Sequence, residues 1–198
     1  MHPFISTMAN MLVIFGLVTY ATKGVSFGAI EPTIPNMVIP KVNGFPTIIL
    51  WAVAAIVIVW FIWNKTTFGK NMFAVGSNPE AANVSGVNVM RTTILVHTLA
   101  GCMYGITGFI ESARIGSNQA NTGLNYECDA IAACVIGGVS FVGGTGKISG
   151  VVLGVFILRI IFIALQFLAV SQNMQYVIKG LIILIACAID MRKYLVRK

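Results

Sequence analysis

The side chains able to carry out chemistry are few in this sequence and are widely spaced. The four cysteines show no CxxC spacing, and neither histidine has a second histidine nearby, so no set of zinc ligands is indicated. The six acidic residues form no obvious catalytic pair, and the usual signatures of a nucleophile with its acid and base are missing. The sequence therefore predicts no metal site and no cofactor, and an enzyme is the least favoured function.

Residues 143–147 read GGTGK, a run that could be mistaken for a phosphate-binding loop. That loop requires a glycine five residues before Gly146 and a serine or threonine after Lys147. This sequence has Phe141 and Ile148 at those two positions. The run is therefore not expected to bind the phosphates of a nucleotide, and no ATP hydrolysis is expected here.

The most informative polar stretch reads GKNMFAVGSNPEAANVSG. Ser77 or Asn78 can cap the start of a helix, and Pro79 suits its first turn. Glu80 complements the positive end of the helix dipole, and Gly86 can end the helix. The stretch thus predicts a helix of about two turns.

A helix of this length is marginal in water unless something packs against it. Ala81, Ala82 and Val84 would give it a small apolar surface suited to a groove on another protein. An ordinary capped loop between two membrane spans is the alternative, and these residues alone do not decide between the two.

The elements that carry these residues are long apolar segments. The chain of 198 residues is 57% hydrophobic and only 10% charged, which is too little charge for the surface of a soluble domain. A helix needs roughly 20 mostly apolar residues to cross the hydrocarbon core. Apolar segments occupy residues 4–20, 47–63, 94–110, 130–142, 151–170 and 176–189. We therefore predict an all-α membrane protein with about six spans in one transmembrane domain, residues 1–198. The fourth segment is short and rich in glycine, and is expected either to span or to re-enter as a broken element.

Basic residues give the chain a formal net charge of +7 and lie mainly in residues 65–91 and in the C-terminal tail. Neither cluster alternates with aromatic residues, so membrane topology explains them better than a nucleic-acid partner does. With the tail in the cytoplasm, eight basic residues lie inside and three outside. Those inside are Lys65, Lys70, Arg91, Lys147, Arg192, Lys193, Arg197 and Lys198, and those outside are Lys23, Lys41 and Arg114. This asymmetry favours that orientation and makes residues 64–93 a cytoplasmic loop.

Glycines form two kinds of pattern. Gly146, Gly150 and Gly154 recur every four residues. Gly101 and Gly105 have the same spacing. Each set is expected on one helix face, where a neighbouring helix can approach closely. The glycines at positions 137, 138, 143 and 144 are instead expected to permit a break or a tight turn.

Several motifs are similar to those of one protein family. The run GSNPEAANVSGVNV resembles the cytoplasmic coupling segment of permeases in bacterial ATP-binding-cassette importers of the ribose and galactose type. The run YECDAIAACVIGGVSFVGGTGKISGVVLGV resembles the same family's second signature, and PFISTM, ESARIGS and QYVIKG also match. The resemblance covers almost the whole chain and is nearest to the galactose and methyl-galactoside branch.

The resemblance implies that the predicted helix docks in a cleft of a separate ATPase subunit. The residues concerned are Asn78, Pro79, Glu80, Ala81, Ala82, Ser85 and Gly86. It further implies a second permease copy, a periplasmic sugar-binding protein, and a multi-pass location among the lipids of the bacterial inner membrane. Family permeases are markedly longer, so the chain resembles their carboxyl-terminal portion only. The sugar is not fixed by this sequence, since discrimination is expected to lie largely with the binding protein.

Glu127 and Asp129 lie beside the fourth apolar segment, near its outer end in this topology. Their carboxylates could accept hydrogen bonds from sugar hydroxyls, pair with Arg114 or cap a helix, and these alternatives stay open. Arg159 lies well inside the fifth segment, where the family pattern leads us to expect no cation. Lys179 lies nearer a helix end and is expected to be interfacial or structural.

Two other functions stay open at this point. A secondary transporter or channel would also suit glycine-rich, broken helices at membrane depth. A truncated permease remnant without transport activity would carry the same motifs.

Overall fold

The computed structural model describes residues 3–26, 28, 31, 33–42 and 45–196, most of which lie in helices. The helices are α1 Pro3–Thr22, α2 Thr33–Val38, α3 Ile48–Lys65, α4 Thr67–Ser77, α5 Pro79–Val84, α6 Val89–Ile115, α7 Tyr126–Ile136, α8 Ile148–Phe167 and α9 Gln172–Val196. Two strands of two residues each, β1 Lys41–Val42 and β2 Phe45–Pro46, pair antiparallel. The predicted all-α class is confirmed, because these short strands are the only ones in the described residues.

Five of the described helices are long and apolar enough to cross a membrane. The spans are Ile5–Thr22, Ile48–Lys65, Val89–Ile115, Ile148–Phe167 and Gln172–Arg192, and each corresponds to a predicted one. The fourth predicted segment differs, since α7 has 11 residues and ends at Ile136. At about 1.5 Å per residue, this helix covers roughly half of a hydrocarbon core about 30 Å thick. The fourth element is therefore short, as predicted, and whether it spans or re-enters stays a prediction.

Contacts divide the chain into two compact units. The first contains the described residues up to Val53 together with Ala100–Leu124, and so holds α1, α2, the strand pair and the second half of α6. The second contains Ala54–Leu99 and the chain from Asn125 onwards, and so holds α4, α5, α7, α8 and α9. Helices α3 and α6 have residues in both units. The assignment of residues 1–198 to a single transmembrane domain stays a prediction.

Large apolar side chains are exposed in both units. Leu12 of α1 is 63% exposed and Leu184 of α9 is 65% exposed. The buried apolar residues of the described part are few and mostly small: Ala82, Ala113, Ala132, Ala133 and Leu158. A soluble protein does not leave so much apolar surface in water, whereas lipid covers it without cost.

Helices α7 and α8 pack with their backbones in contact. A Cβ atom added to Gly154 would lie 2.8 Å from the Gly137 nitrogen and still closer to the Ala133 oxygen. A Cβ atom on Gly150 would collide with the Gly137 oxygen in the same way. Only glycine at these positions lets the two helices approach so closely, and Ala133 is consequently buried.

The other glycines of the predicted packing sets lie differently. Gly146 precedes α8, and a Cβ atom there would lie 3.1 Å from Val139 Cγ2. A Cβ atom on Gly101 or Gly105 would meet no described atom within 4 Å. The packing role of these two residues of α6 stays a prediction.

Replacing Gly154 with alanine is expected to lower the free energy of unfolding by about 1–3 kcal/mol, because the new Cβ would overlap the α7 backbone. Gly101→Ala is the matched control, since its Cβ meets no described atom within 4 Å. Helix propensity alone would make that control more stable by up to about 1 kcal/mol. Denaturant titration of both variants in detergent micelles checks the prediction, and equal stability would contradict the α7–α8 contact.

Candidate functional site

The predicted capped helix is present as α5. The side-chain Oδ1 of Asn78 accepts hydrogen bonds of 3.0 Å from the backbone nitrogens of Glu80 and Ala81. Pro79 occupies the first turn, and its missing N–H would have had no partner there. Gly86 follows the helix with φ of +84°, a left-handed conformation that glycine adopts without strain. Local sequence therefore determines where this helix begins and ends.

Helix α4 precedes α5 and was not predicted. It begins after Thr66, whose hydroxyl accepts a hydrogen bond of 3.2 Å from the Gly69 nitrogen. The rings of Trp63 and Phe73 pack edge to face with centroids 5.7 Å apart, which holds α4 against the end of α3. The threonine cap and the apolar residues that follow it were the available signals, although two glycines in the stretch obscured them.

Asn78 joins α4 and α5 directly. Its backbone N–H donates to the Ala74 oxygen at 3.0 Å and so ends α4, while its side chain starts α5. One residue thus serves as the cap of both helices. Asn78 is the one residue between the end of α4 and the start of α5.

The surface of α5 divides into an inner and an outer side. Ala82 is 4% exposed and packs against its own chain, whereas Val84 is 90% exposed. The Ser85 hydroxyl donates to the Ala81 oxygen at 2.9 Å and stays at the surface. Beside the helix lies a shallow groove of about 650 Å³, lined by Pro79, Glu80, Asn83, Gly86, Val87, Asn88, Val89 and Met90. Of the predicted apolar docking surface, Val84 and Ala81 are therefore accessible and Ala82 is not.

The residues between α7 and α8, positions 137–147, form a glycine loop that packs against the end of α4. Gly143 and Gly144 have φ of +105° and +73°. A Cβ atom on Gly143 would lie 2.7 Å from the Gly76 oxygen, and one on Gly144 would lie 2.7 Å from Ser77 Cα. The backbones are in contact here, so the end of α4 covers the first two glycines of the GGTGK run.

The two carboxylates beside α7 have different surroundings. Asp129 Oδ1 lies 2.6 Å from Lys179 Nζ of α9, in an ion pair whose angles are not those of a hydrogen bond. The same ammonium lies 5.2 Å from the centre of the Phe162 ring and 5.6 Å from that of Tyr176. Glu127 makes no hydrogen bond or ion pair within the described residues. Asp129 thus joins α7 to α9.

Arg114, the third residue assigned to a sugar pathway, binds Glu111 of its own helix. Its Nε donates to Glu111 Oε2 at 2.8 Å and its Nη2 to Oε1 at 2.6 Å. The partner that the structure gives to Asp129 is Lys179. Of the two roles expected for this lysine, interfacial or structural, the ion pair supports the structural one. The assignment of the three residues to a pathway stays a prediction.

Arg159 lies in the middle of α8 with its side chain exposed. Among the described residues no hydrogen-bond or ion-pair partner reaches its guanidinium. A cation at that depth in lipid requires a partner or a path for its side chain to the interface. We assign it no part in transport.

Comparison with known proteins identifies the family. Residues 1–187 match the family described as branched-chain amino acid transport system / permease component.

The chain belongs to this permease family.

Its relatives include several sugar permeases. The galactose/methyl galactoside import permease protein of Treponema pallidum is 46% identical over 206 residues, which cover 100% of this chain and 39% of the relative. The Escherichia coli protein of the same name is 44% identical, covering 99% of this chain and 60% of the relative. The ribose import permease protein of Bacillus subtilis is 38% identical, covering 98% and 61%. No solved structure matches.

These findings confirm the resemblance to permeases of ribose and galactose importers. They also show that this permease chain spans between 39% and 61% of the length of the three relatives. The matched residues 1–187 contain α5, α7, the glycine loop and both Asp129 and Lys179.

Replacing Asp129 with asparagine is expected to lower the free energy of unfolding by about 1–3 kcal/mol. The reason is that the Lys179 side chain, only 14% exposed, would lose its carboxylate partner. Glu127→Gln is the matched control, since it removes one negative charge from the same helical turn where no partner is lost, and should change stability by less than about 0.5 kcal/mol. Denaturant titration in micelles measures both. An equal loss in the two variants would show that the ion pair contributes nothing specific.

Proposed function

We propose that this chain supplies the membrane-spanning permease part of an ATP-driven importer of a monosaccharide, with galactose or a methyl galactoside as the favoured substrate. The observation that carries the proposal is the match of nearly the whole chain to proteins named as galactose/methyl galactoside import permeases, at 44–46% identity. The five apolar helices support a path through a bilayer. The protein is proposed to lie in the bacterial inner membrane. The distribution of its basic residues supports a C-terminal tail on the cytoplasmic side.

ATP is hydrolysed by a separate ATPase subunit in this proposal. The GGTGK run lacks the P-loop residues, and its Gly143 and Gly144 backbones lie against Gly76 and Ser77. A backbone packed in this way has no room to surround a phosphate group. The lack of a phosphate-binding loop at this run supports ATP hydrolysis on another chain.

The contact with that subunit is made by α5. The helix is fixed at both ends by Asn78 and Gly86, and Val84 is 90% exposed beside the shallow groove. A short, rigid helix with an exposed apolar side chain suits a cleft on a partner, because little conformational entropy is lost on docking. Closure of the ATPase on nucleotide would then displace α5 and shift the membrane helices between two arrangements.

Two further partners complete the proposed complex. A second permease copy would cover part of the apolar surface and enclose the pathway, and a periplasmic binding protein would deliver the sugar from outside. Glu127 is proposed to contact the sugar in that pathway, because its carboxylate makes no hydrogen bond or ion pair with the described residues. Asp129 and Arg114 are proposed to line the pathway rather than to bind the sugar, since their charged groups already have partners.

Replacing Val84 with aspartate is expected to reduce association with the ATPase subunit at least about tenfold, because an unpaired charge would be buried in an apolar cleft. Val25→Asp is the matched control, since Val25 is also exposed, at 65%, and lies outside α5. Co-purification from detergent and ATP-driven uptake into vesicles are the measurements. Normal association of the Val84 variant would overturn the docking assignment.

Replacing Glu127 with glutamine is expected to lower sugar uptake at low sugar concentration by about tenfold, because a charge-assisted hydrogen bond to a sugar hydroxyl would be lost. Association with the ATPase subunit should be unchanged. Glu31→Gln controls for removal of one exposed negative charge elsewhere in the chain. Uptake by the Glu127 variant equal to that of the Glu31 variant would exclude a sugar contact at Glu127.

A further inference from the structure

Asp190, near the end of α9, binds the glycine loop although the two are distant in sequence. Its Oδ2 accepts hydrogen bonds from the Ser140 hydroxyl at 3.0 Å and from the Phe141 backbone nitrogen at 2.9 Å. The Ser140 hydroxyl in turn accepts from the Val142 nitrogen at 3.3 Å. Hydrogen bonds to an ionised carboxylate are about twice as strong as neutral ones. One carboxylate oxygen therefore fastens the loop to α9.

The loop is also held by its own backbone. The Ser140 nitrogen donates to the Thr145 oxygen at 3.1 Å, and the Gly143 nitrogen donates to the Ser140 oxygen at 3.2 Å. Residues 140–145 thus form a closed turn. Asp190 accepts hydrogen bonds from the first two residues of this turn. Gly143, which contacts α4, is therefore joined to Ser140 by a backbone hydrogen bond.

The space between the glycine loop and α9 is only partly filled. A cavity of about 690 Å³ lies between them, lined by residues of the loop, the end of α4, α7 and α9, including Ser140, Thr145, Ile185 and Asp190. No ion pair connects Asp190 to a described basic side chain. The hydrogen bonds from Ser140 and Phe141 are thus the direct tie across this space.

The loop contacts α4 next to the cap of α5. Gly143 and Gly144 pack against Gly76 and Ser77. Ser77 is the last residue of α4 and is followed by Asn78, whose side chain caps α5. The loop continues into α8, which packs closely against α7. Contacts therefore run without interruption from α5 through α4 and the loop to α8, and through Asp190 to α9.

We propose that Asp190 is a positioning residue for energy coupling: by fastening the glycine loop to α9, it makes a displacement of α5 move α8 and α9 together. This inference rests on the proposed function, since it assumes that an ATPase subunit acts on α5. Asp190 touches neither the ATPase nor the sugar in this scheme. Its removal should therefore separate hydrolysis from transport without preventing assembly.

The test uses the assembled transport complex in proteoliposomes, with this chain, the ATPase subunit that co-purifies with it and a sugar-binding protein. The measured quantity is galactose taken up per ATP hydrolysed, for assembled complex only. Asp190→Ala is expected to lower this ratio about tenfold while the ATPase subunit still co-purifies. Asp190→Asn keeps an acceptor oxygen at the same place and should retain the ratio to within about threefold. A merely structural role would reduce the yield of complex and leave the ratio unchanged, which would overturn the proposal.

A pair of glycine variants tests the contact between the loop and α4. Gly144→Ala and Gly138→Ala both place alanine at positive φ, +73° and +82°. The Cβ on Gly144 would lie 2.7 Å from Ser77 Cα, whereas the one on Gly138 would meet no described atom within 4 Å. Gly144→Ala is expected to lower uptake per ATP as Asp190→Ala does, and Gly138→Ala is expected to keep it. Equal ratios in the two variants would overturn the transmission route.

The outcomes separate this inference from the proposed function. If the unmodified chain binds no ATPase subunit and shows no ATP-driven uptake, both are overturned. If the unmodified complex transports and the Asp190→Ala complex transports with the same yield per ATP, only the role of Asp190 is overturned. A Ser140→Ala substitution added to Asp190→Ala should reduce the ratio no further, because the two residues share one hydrogen-bonded tie.

Discussion

Lipid offers no hydrogen bonds to a polypeptide, and this constraint governs the long apolar helices. Backbone groups inside a bilayer must find partners within the protein, so continuous helices dominate and the apolar side chains of α1, α3, α6, α8 and α9 remain exposed. Where the chain leaves the helical state between α7 and α8, residues 140–145 bond one another and Asp190 supplies an acceptor. The irregular backbone is therefore supported by the protein itself.

Few charges are present, and several of them make specific connections between or within helices. Glu111 binds Arg114 inside α6, Asp129 binds Lys179 between α7 and α9, and Asp190 binds the glycine loop. Lys179 gains the rings of Phe162 and Tyr176 as well, which lowers the cost of keeping an ammonium largely out of water. In a membrane protein such contacts decide which helices move together, because apolar side chains pack nearly as well against lipid as against one another.

The proposed division of labour follows from these mechanics. The GGTGK run lacks the P-loop residues, and α5, which carries the exposed Val84, follows α4 directly after Asn78. A separate motor that displaces α5 would therefore act on the second compact unit through backbone contacts, rather than through long flexible side chains. Glycines at 76, 143, 144, 150 and 154 make those contacts possible, since a side chain at any of them would push the elements apart.

Some of this could be predicted from the sequence because it depends on neighbours in the chain. Apolar length determined the five long spans, and the order of Asn78, Pro79, Glu80 and Gly86 determined α5, since caps and turns involve residues two to five positions apart. The motifs determined the family for the same reason: they are contiguous. By contrast, α4 was missed, because its glycines argue against a helix and the packing of Phe73 on Trp63 overrides them.

Pairings between distant residues were decided only by the tertiary structure. The sequence offered Arg114 as a partner for the acidic residues near α7, whereas folding brings Lys179 to Asp129 and Ser140 to Asp190. It likewise could not say that Gly143 and Gly144 meet Gly76 and Ser77. Spacing along a helix determines which residues share a face, but which other helix that face meets depends on how the whole set of helices packs, and no local pattern encodes it.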